Sequence, residues 1–207
     1  MADLQTALDY LAPDEGGFTV DNGGPTNFGV TQANARAYQG YTGAMEDYTY
    51  DQAVDFYNRW GWGPGNFDAI EDQNVANAIF DIAVNVGMGG IGAVVQAALN
   101  DSTISWTGSN DGKWGPETLA AVNDCDPDTF IVAFSAAALA NYHRIADGDS
   151  SPKIRLNGYI NRANRLLTLQ SGLAGAAETV LQNPGTSTAV IILLGMIGFS
   201  LFWGGRH

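Results

Sequence analysis

The stretch Glu15-Gly16-Gly17-Phe18-Thr19-Val20-Asp21-Asn22-Gly23-Gly24-Pro25-Thr26-Asn27-Phe28-Gly29-Val30-Thr31-Gln32 contains too much glycine to continue a helix. Asn22-Gly23 is a hairpin-type turn, and the apolar and β-branched residues on its two sides predict short strands around Phe18 to Val20 and Phe28 to Thr31. What precedes it is helical: Leu4, Ala7, Leu8 and Leu11 recur at helical spacing behind Asp3, a residue suited to cap a helix N-terminus. A helix running to about Ala12 therefore delivers Glu15 to its end, directly before one small β-hairpin.

Downstream the pattern is helical throughout. Thr49 and Gln52 have capping-box spacing, and Tyr50, Ala53, Val54, Tyr57 and Trp60 share one helical face until Gly61-Trp62-Gly63-Pro64-Gly65 breaks it. Val75, Ala76, Ile79, Phe80, Ala83 and Val84 mark a core helix, with Gly87, Gly89 and Gly90 as its terminators, and Ile91 to Leu99 starts another. Asp111-Gly112 is a tight turn. Pro116 occupies the first position of a further helix. Asp126-Pro127 opens one that reaches about Ile145 with Phe130, Phe134, Ala138 and Tyr142 on one side, and a last helix spans about Ile160 to Gln170. The fold class expected is mainly α, an α+β arrangement with one small hairpin.

Residues 171–185 are small and flexible in composition, as in a tether. Thr186 to Trp203 then gives eighteen residues without a charge. As a helix they would extend about 27 Å, close to the hydrocarbon thickness of a bilayer. Pro184-Gly185 separates them from what precedes, and Phe199, Phe202 and Trp203 are suited to the interface. The alternative is a buried core helix; the expectation is a transmembrane helix over 186–203. Met1-Ala2-Asp3-Leu4-Gln5 has neither a basic region nor an apolar core, so no cleaved secretory signal is expected there.

The net charge is −13, and nineteen of the twenty-two acidic side chains lie in residues 1–130 with only three of the nine basic ones. That balance argues against nucleic acid as a partner, since phosphate backbones are held by clustered Lys and Arg. A neutral glycan meets no such objection. Cys125 is the single cysteine and there are two histidines, which excludes an intrachain disulfide and gives no basis for a metal site or another cofactor.

A carboxylate at a helix end, followed by a glycine-rich hairpin with further polar groups, is a way to build a glycan cleft. Hydrolysis of a glycosidic bond needs an acid to protonate the leaving oxygen and a second group that holds water or opposes the developing positive charge. Glu15 and Asp21 can fill those roles, provided that apolar neighbours such as Phe18 or Phe28 keep the acid protonated near neutral pH. Spacing alone is equally compatible with a solvated loop.

The run from Glu15 to Phe18, followed by Gly23-Gly24-Pro25-Thr26-Asn27-Phe28-Gly29-Val30-Thr31-Gln32, closely resembles the signature of the glycoside hydrolase family 108 lysozymes, found largely in bacteriophages and prophages. Tyr57-Asn58-Arg59-Trp60 and Phe80-Asp81-Ile82-Ala83-Val84-Asn85-Val86-Gly87 are similar to later family blocks. Asp111-Gly112-Lys113-Trp114-Gly115-Pro116-Glu117-Thr118-Leu119 resembles the predicted peptidoglycan-binding region that accompanies the family. Asn157-Gly158-Tyr159-Ile160-Asn161-Arg162 resembles its closing motif, with Tyr159 in place of Trp.

The resemblance implies a lysozyme-like fold and a muramidase that cleaves the β-1,4 bond between N-acetylmuramic acid and N-acetylglucosamine, with Glu15 as general acid and Asp21 as a possible second group. Thr26, Asn27 and Thr31 are neutral alternatives for orienting water, and Asn85 is a candidate to hydrogen-bond a sugar N-acetyl group, set against a capping or core role. For Trp60 and Trp62 core packing stands ahead of stacking on sugars. The Asp111 to Leu119 block has two readings, glycan contact or structural punctuation. The expected organisation is a catalytic domain over 1–105, a helical region over 106–170 packed on it, a linker over 171–185 and the membrane helix over 186–203.

The expected partners are peptidoglycan, a lipid bilayer and other virion or tail proteins. The expected location is a virion membrane or tail, or the host inner membrane with the enzyme facing the periplasm. The role is that of a virion enzyme or an endolysin active in host cell lysis. Two rivals stay open: a lytic transglycosylase, and a non-catalytic virion or tail protein that docks on the cell wall.

Overall fold

A computed structural model describes residues 1–11, 17–21, 24–147 and 152–170. Glu15, the Asn22-Gly23 turn, the tether and the membrane segment at 186–203 lie outside the described residues. The order is α1 (Leu4–Leu11), β1 (Thr19–Asp21), β2 (Gly24–Asn27), β3 (Val30–Thr31), α2 (Gln32–Gln39), α3 (Tyr50–Tyr57), α4 (Gln73–Val86), α5 (Met88–Leu99), α6 (Pro116–Asn123), α7 (Pro127–Asp147) and α8 (Pro152–Leu166). Among the described residues no helix is long and apolar enough to cross a membrane.

The helices form where local chemistry requires them. Asp3 Oδ1 accepts from the Thr6 backbone N–H at 2.9 Å and caps α1. Thr49 and Gln52 close a reciprocal capping box at the start of α3. Pro116 occupies the first turn of α6, where its missing N–H costs no hydrogen bond. α4 is the axis of the core: every residue from Val75 to Ala83 is buried, so the helix must be covered on all sides. α1, α5 and α7 supply that cover. On α7, Phe130, Phe134, Ala138 and Tyr142 are all buried on its inward stripe, and the apolar core runs without interruption across residue 105.

Three expectations are corrected. The single hairpin is a three-stranded antiparallel sheet in the order β1-β2-β3, with Thr19 opposite Thr26 and Asn27 opposite Val30. The additional strand, Gly24–Asn27, carries a proline. Pro25 is tolerated because β3 pairs only with Thr26 and Asn27, which leaves the proline a neighbour on one side alone. The second turn falls at Phe28-Gly29, where both residues have positive φ, 49° and 74°. This geometry matches the twist of a two-residue hairpin, at the cost of placing an aromatic residue in the left-handed region.

Secondly, Gly87 alone ends α4. Gly89 and Gly90 lie in the first turn of α5, which begins at Met88. Thirdly, Trp60 lies beyond the end of α3, in a π-helical turn over Asn58–Trp62. The buried face of α3 is Ala53, Phe56 and Tyr57, while Tyr50 is exposed. α2, which the sequence reading passed over, is capped by Thr31 and closed by Gly40 in the left-handed conformation.

Candidate active site

The sheet is anchored by the polar groups named as candidates. Asn27 is buried, and its Nδ2 donates to the carbonyls of Met45 at 2.9 Å and Tyr48 at 3.3 Å, tying β2 to the loop before α3. Thr31 Oγ1 accepts from Asn34 N at 3.2 Å as the cap of α2. Both side chains therefore hold structure in this state. Thr26 is half-buried, with only a long 3.4 Å contact from its hydroxyl to the Gly24 carbonyl, so it remains the sheet's least engaged candidate. Asp21 is placed by its backbone, opposite Gly24. The Phe28 ring packs edge-on against Tyr50 at 5.6 Å, and the Phe28 carbonyl accepts from Tyr57 Oη at 3.2 Å. Phe18 is exposed.

A second polar assembly joins α4, α8 and α1. Asp81, fully buried in the apolar run of α4, accepts at Oδ1 from Arg162 Nη1 and from Arg165 Nη2, each at 3.0 Å. Arg162 Nη1 also donates to the Asp81 carbonyl at 3.2 Å. A carboxylate at this depth requires such partners, because leaving its charge unpaired would cost several kcal/mol. One helical turn beyond Asp81, Asn85 is exposed. Hydrogen-bond consistency sets its amide oxygen towards Arg162, accepting from Nε at 3.1 Å and Nη1 at 2.5 Å. The Arg165 guanidinium lies 4.6 Å from the ring centre of Tyr10, at the last turn of α1. Two stretches far apart in the chain, Phe80 to Gly87 and Asn157 to Arg162, thus meet beside the helix that leads into Glu15.

Asp81 and Arg162 were not named as functional in the sequence reading. The signal was present in part: one aspartate inside an otherwise apolar helical window demands a cationic partner, although nothing local says which of the nine basic residues supplies it.

Trp60, Trp62 and Trp114 are packing groups. Trp62 is buried, stacked on Phe67 at 5.4 Å and edge-on to Phe80 at 5.2 Å. Trp60 is half-buried against Phe56, Tyr57 and Phe80. Trp114 stacks on Phe67 at 5.5 Å and donates Nε1–H to the Gly65 carbonyl at 2.7 Å. Around it, the buried Gln96 organises the Asp111 to Leu119 block. Its Nε2 donates to Asp111 Oδ1 and the Lys113 carbonyl, both at 3.0 Å, and its Oε1 accepts from Gly112 N at 2.7 Å. These contacts give that block a structural role.

Cys125 is half-buried and donates to the Ala121 carbonyl at 3.1 Å. Burial, then the charges of Asp124 and Asp126, push its thiol pKa up, the opposite of what a reactive cysteine needs. Among the described residues no cluster of His, Cys, Asp and Glu could hold a metal ion.

No curated protein matches the chain. Among solved structures, SagA of Brucella abortus is similar with a TM-score of 0.56 and 26% identity, over 82% of this chain and 98% of that one. A likeness of that extent reaches well beyond the sheet and α4. Residues 8–87, running from α1 through Glu15 and the sheet to the end of α4, match the family described as Glycosyl hydrolase 108, so this protein is a glycosidase, with the lysozyme-like action on peptidoglycan that the family implies.

Proposed function

We propose that the protein is a muramidase that hydrolyses the β-1,4 bond between N-acetylmuramic acid and N-acetylglucosamine, with Glu15 as the general acid. The observation that carries this reading is the family match over residues 8–87, which includes Glu15 and the whole sheet that follows it in the chain. Glu15 protonates the glycosidic oxygen as the bond breaks, and Asp21 or a water oriented by Thr26 serves the opposite face of the sugar ring. Asn27 contributes by holding β2 in place, and Thr31 by capping α2. No metal or organic cofactor takes part in this scheme.

The test is Glu15→Gln, which keeps the side-chain shape and removes the transferable proton. Release of soluble muropeptides from purified peptidoglycan should fall at least about a hundredfold, in line with the usual contribution of a general acid, while the thermal midpoint stays put. Near-normal release would remove Glu15 from the role. Mass spectrometry of the products checks the use of water: hydrolysis leaves reducing ends, whereas a transglycosylase leaves anhydro ends lighter by one water.

We further propose that residues 186–203 anchor the enzyme to a bilayer and that it serves a bacteriophage, in penetrating the host envelope or lysing the host. The length and apolarity of that segment support the anchor. The protein should sediment with membranes and resist extraction by salt. A chain ending at residue 170 should stay in the supernatant.

A further inference from the structure

The turn between β2 and β3 breaks a local rule. In a two-residue hairpin turn with positive φ at both positions, asparagine, aspartate or glycine usually takes the first place, because other side chains crowd the backbone in the left-handed region. Here Phe28 holds that place with φ 49°, ahead of Gly29 at 74°. An aromatic residue keeps such a conformation only where its surroundings impose it, and such outliers gather at functional sites. The contacts that impose it come from α3 and the loop before it. The buried Tyr57 donates its hydroxyl to the Phe28 carbonyl at 3.2 Å. Tyr50, two helical turns earlier, meets the Phe28 ring edge-on, and the neighbouring Asn27 side chain is tied to the Met45 and Tyr48 carbonyls. Tyr57 is in turn set by rings, edge-on to Trp60 at 6.4 Å and to Phe80 of α4 at 6.1 Å. The core therefore aims its hydroxyl at the turn.

The turn fixes the register of the central strand. β2 pairs through Thr26 with Thr19 on one side and with Thr31 on the other. Asn27 is buried, so Thr26, its neighbour in the strand, belongs to the opposite face. A slip of one residue would exchange those faces. We propose that Tyr57 is a positioning residue for hydrolysis: its hydrogen bond holds Phe28 in the left-handed conformation and thereby sets Thr26 for the attacking water. The inference rests on the muramidase reading above and assigns Tyr57 to the chemical step, with no part in holding the glycan.

The experiment is a double-mutant cycle on the full chain, with kcat and KM read from the release of muropeptides. Tyr57→Phe keeps the ring and removes the donor. It should lower kcat about tenfold, the scale of one net hydrogen bond, and leave KM unchanged. Glycine adopts positive φ without a clamp. In a Phe28→Gly background the same Tyr57→Phe change should therefore alter kcat by less than about twofold. A Phe28→Asn background, with another residue that accepts this conformation, should give the same result. Amide exchange at Val30, which pairs with Asn27 across the turn, should quicken in Tyr57→Phe and show no further change on the glycine background. An unchanged kcat in Tyr57→Phe overturns the inference while the muramidase reading stands. So does an equal loss in all three backgrounds, the mark of a role in packing alone, and so does a loss confined to KM. Absence of muropeptide release by the unaltered protein would instead overturn the muramidase reading, and the assignment to hydrolysis with it.

Discussion

Two buried polar hubs fasten the later helices to the earlier part of the molecule, and they do it with different chemistry. Gln96 on α5 is neutral: its single amide gathers the loop over Asp111 to Lys113 through donor and acceptor ends at once. Asp81 on α4 is charged, and it draws two arginines of α8 onto one carboxylate oxygen. A neutral hub satisfies backbone groups that would otherwise be buried without partners, and its loss is felt locally. A charged hub cannot lose one member without stranding the others, so it couples whole helices. It is the charged hub that borders the end of α1 and orients Asn85. The Gln96 hub locks a turn and a tryptophan.

The difference can be broken by substitution. Asp81→Ala should have the largest effect, a loss of about 3 kcal/mol of unfolding free energy measured in urea, because Arg162 and Arg165 lose their shared carboxylate. A loss below about 1 kcal/mol would mean that the charges are solvated in place and that the two hubs do not differ. Gly92→Ala comes next, at about 2 kcal/mol. A β-carbon there would collide with the backbone of Gly112 to Trp114, which cannot retreat while Gln96 and the Trp114 stack hold it.

Gln96→Leu should cost about 1 to 2 kcal/mol by leaving Gly112 N–H without its acceptor. Hydrogen exchange should show the loss of protection confined to the 110–118 loop. Protection lost along α4 and α8 as well would erase the distinction between a local and a global hub.

The smallest effect sharpens the comparison through pH. Asp111 is held at a pKa of about 2, first by the hydrogen bond from Gln96 and then by the Lys113 backbone N–H. A carboxylate depressed in the folded state adds stability above its ordinary value of about 4 and loses it as pH falls through the folded value. The thermal midpoint should therefore drop between about pH 4 and pH 2, and part of that slope should vanish in Asp111→Asn. An unchanged slope would detach Asp111 from the Gln96 hub.

Much of the helical framework was legible because amphipathic spacing and end signals are local. Leu4 to Leu11, the Thr49 capping box, Pro116 and the Phe130 to Tyr142 stripe all form as read. α2 escaped because it buries only Ala35 and so carries no apolar stripe, although Thr31 and Gly40 marked its ends. β2 escaped because Gly24-Pro25 lacks any strand-like alternation; its pairing comes from the turn at Phe28-Gly29. Gly89 and Gly90 read as terminators, yet a helix that starts directly after Gly87 accommodates them in its first turn.

By itself the sequence determined the helix boundaries that depend on caps and periodicity, the acidic character of residues 1–130, and the resemblance that singles out Glu15. Only the tertiary structure decided the rest. It showed that Asn27 ties β2 to the loop before α3, that Thr31 caps α2, that Trp114 stacks on Phe67, and that Asp81, Arg162 and Asn85 form one assembly. The physical reason is separation along the chain. Periodicity and capping act within a few residues, whereas a buried carboxylate accepts whichever cation the fold delivers, here one eighty-one positions away.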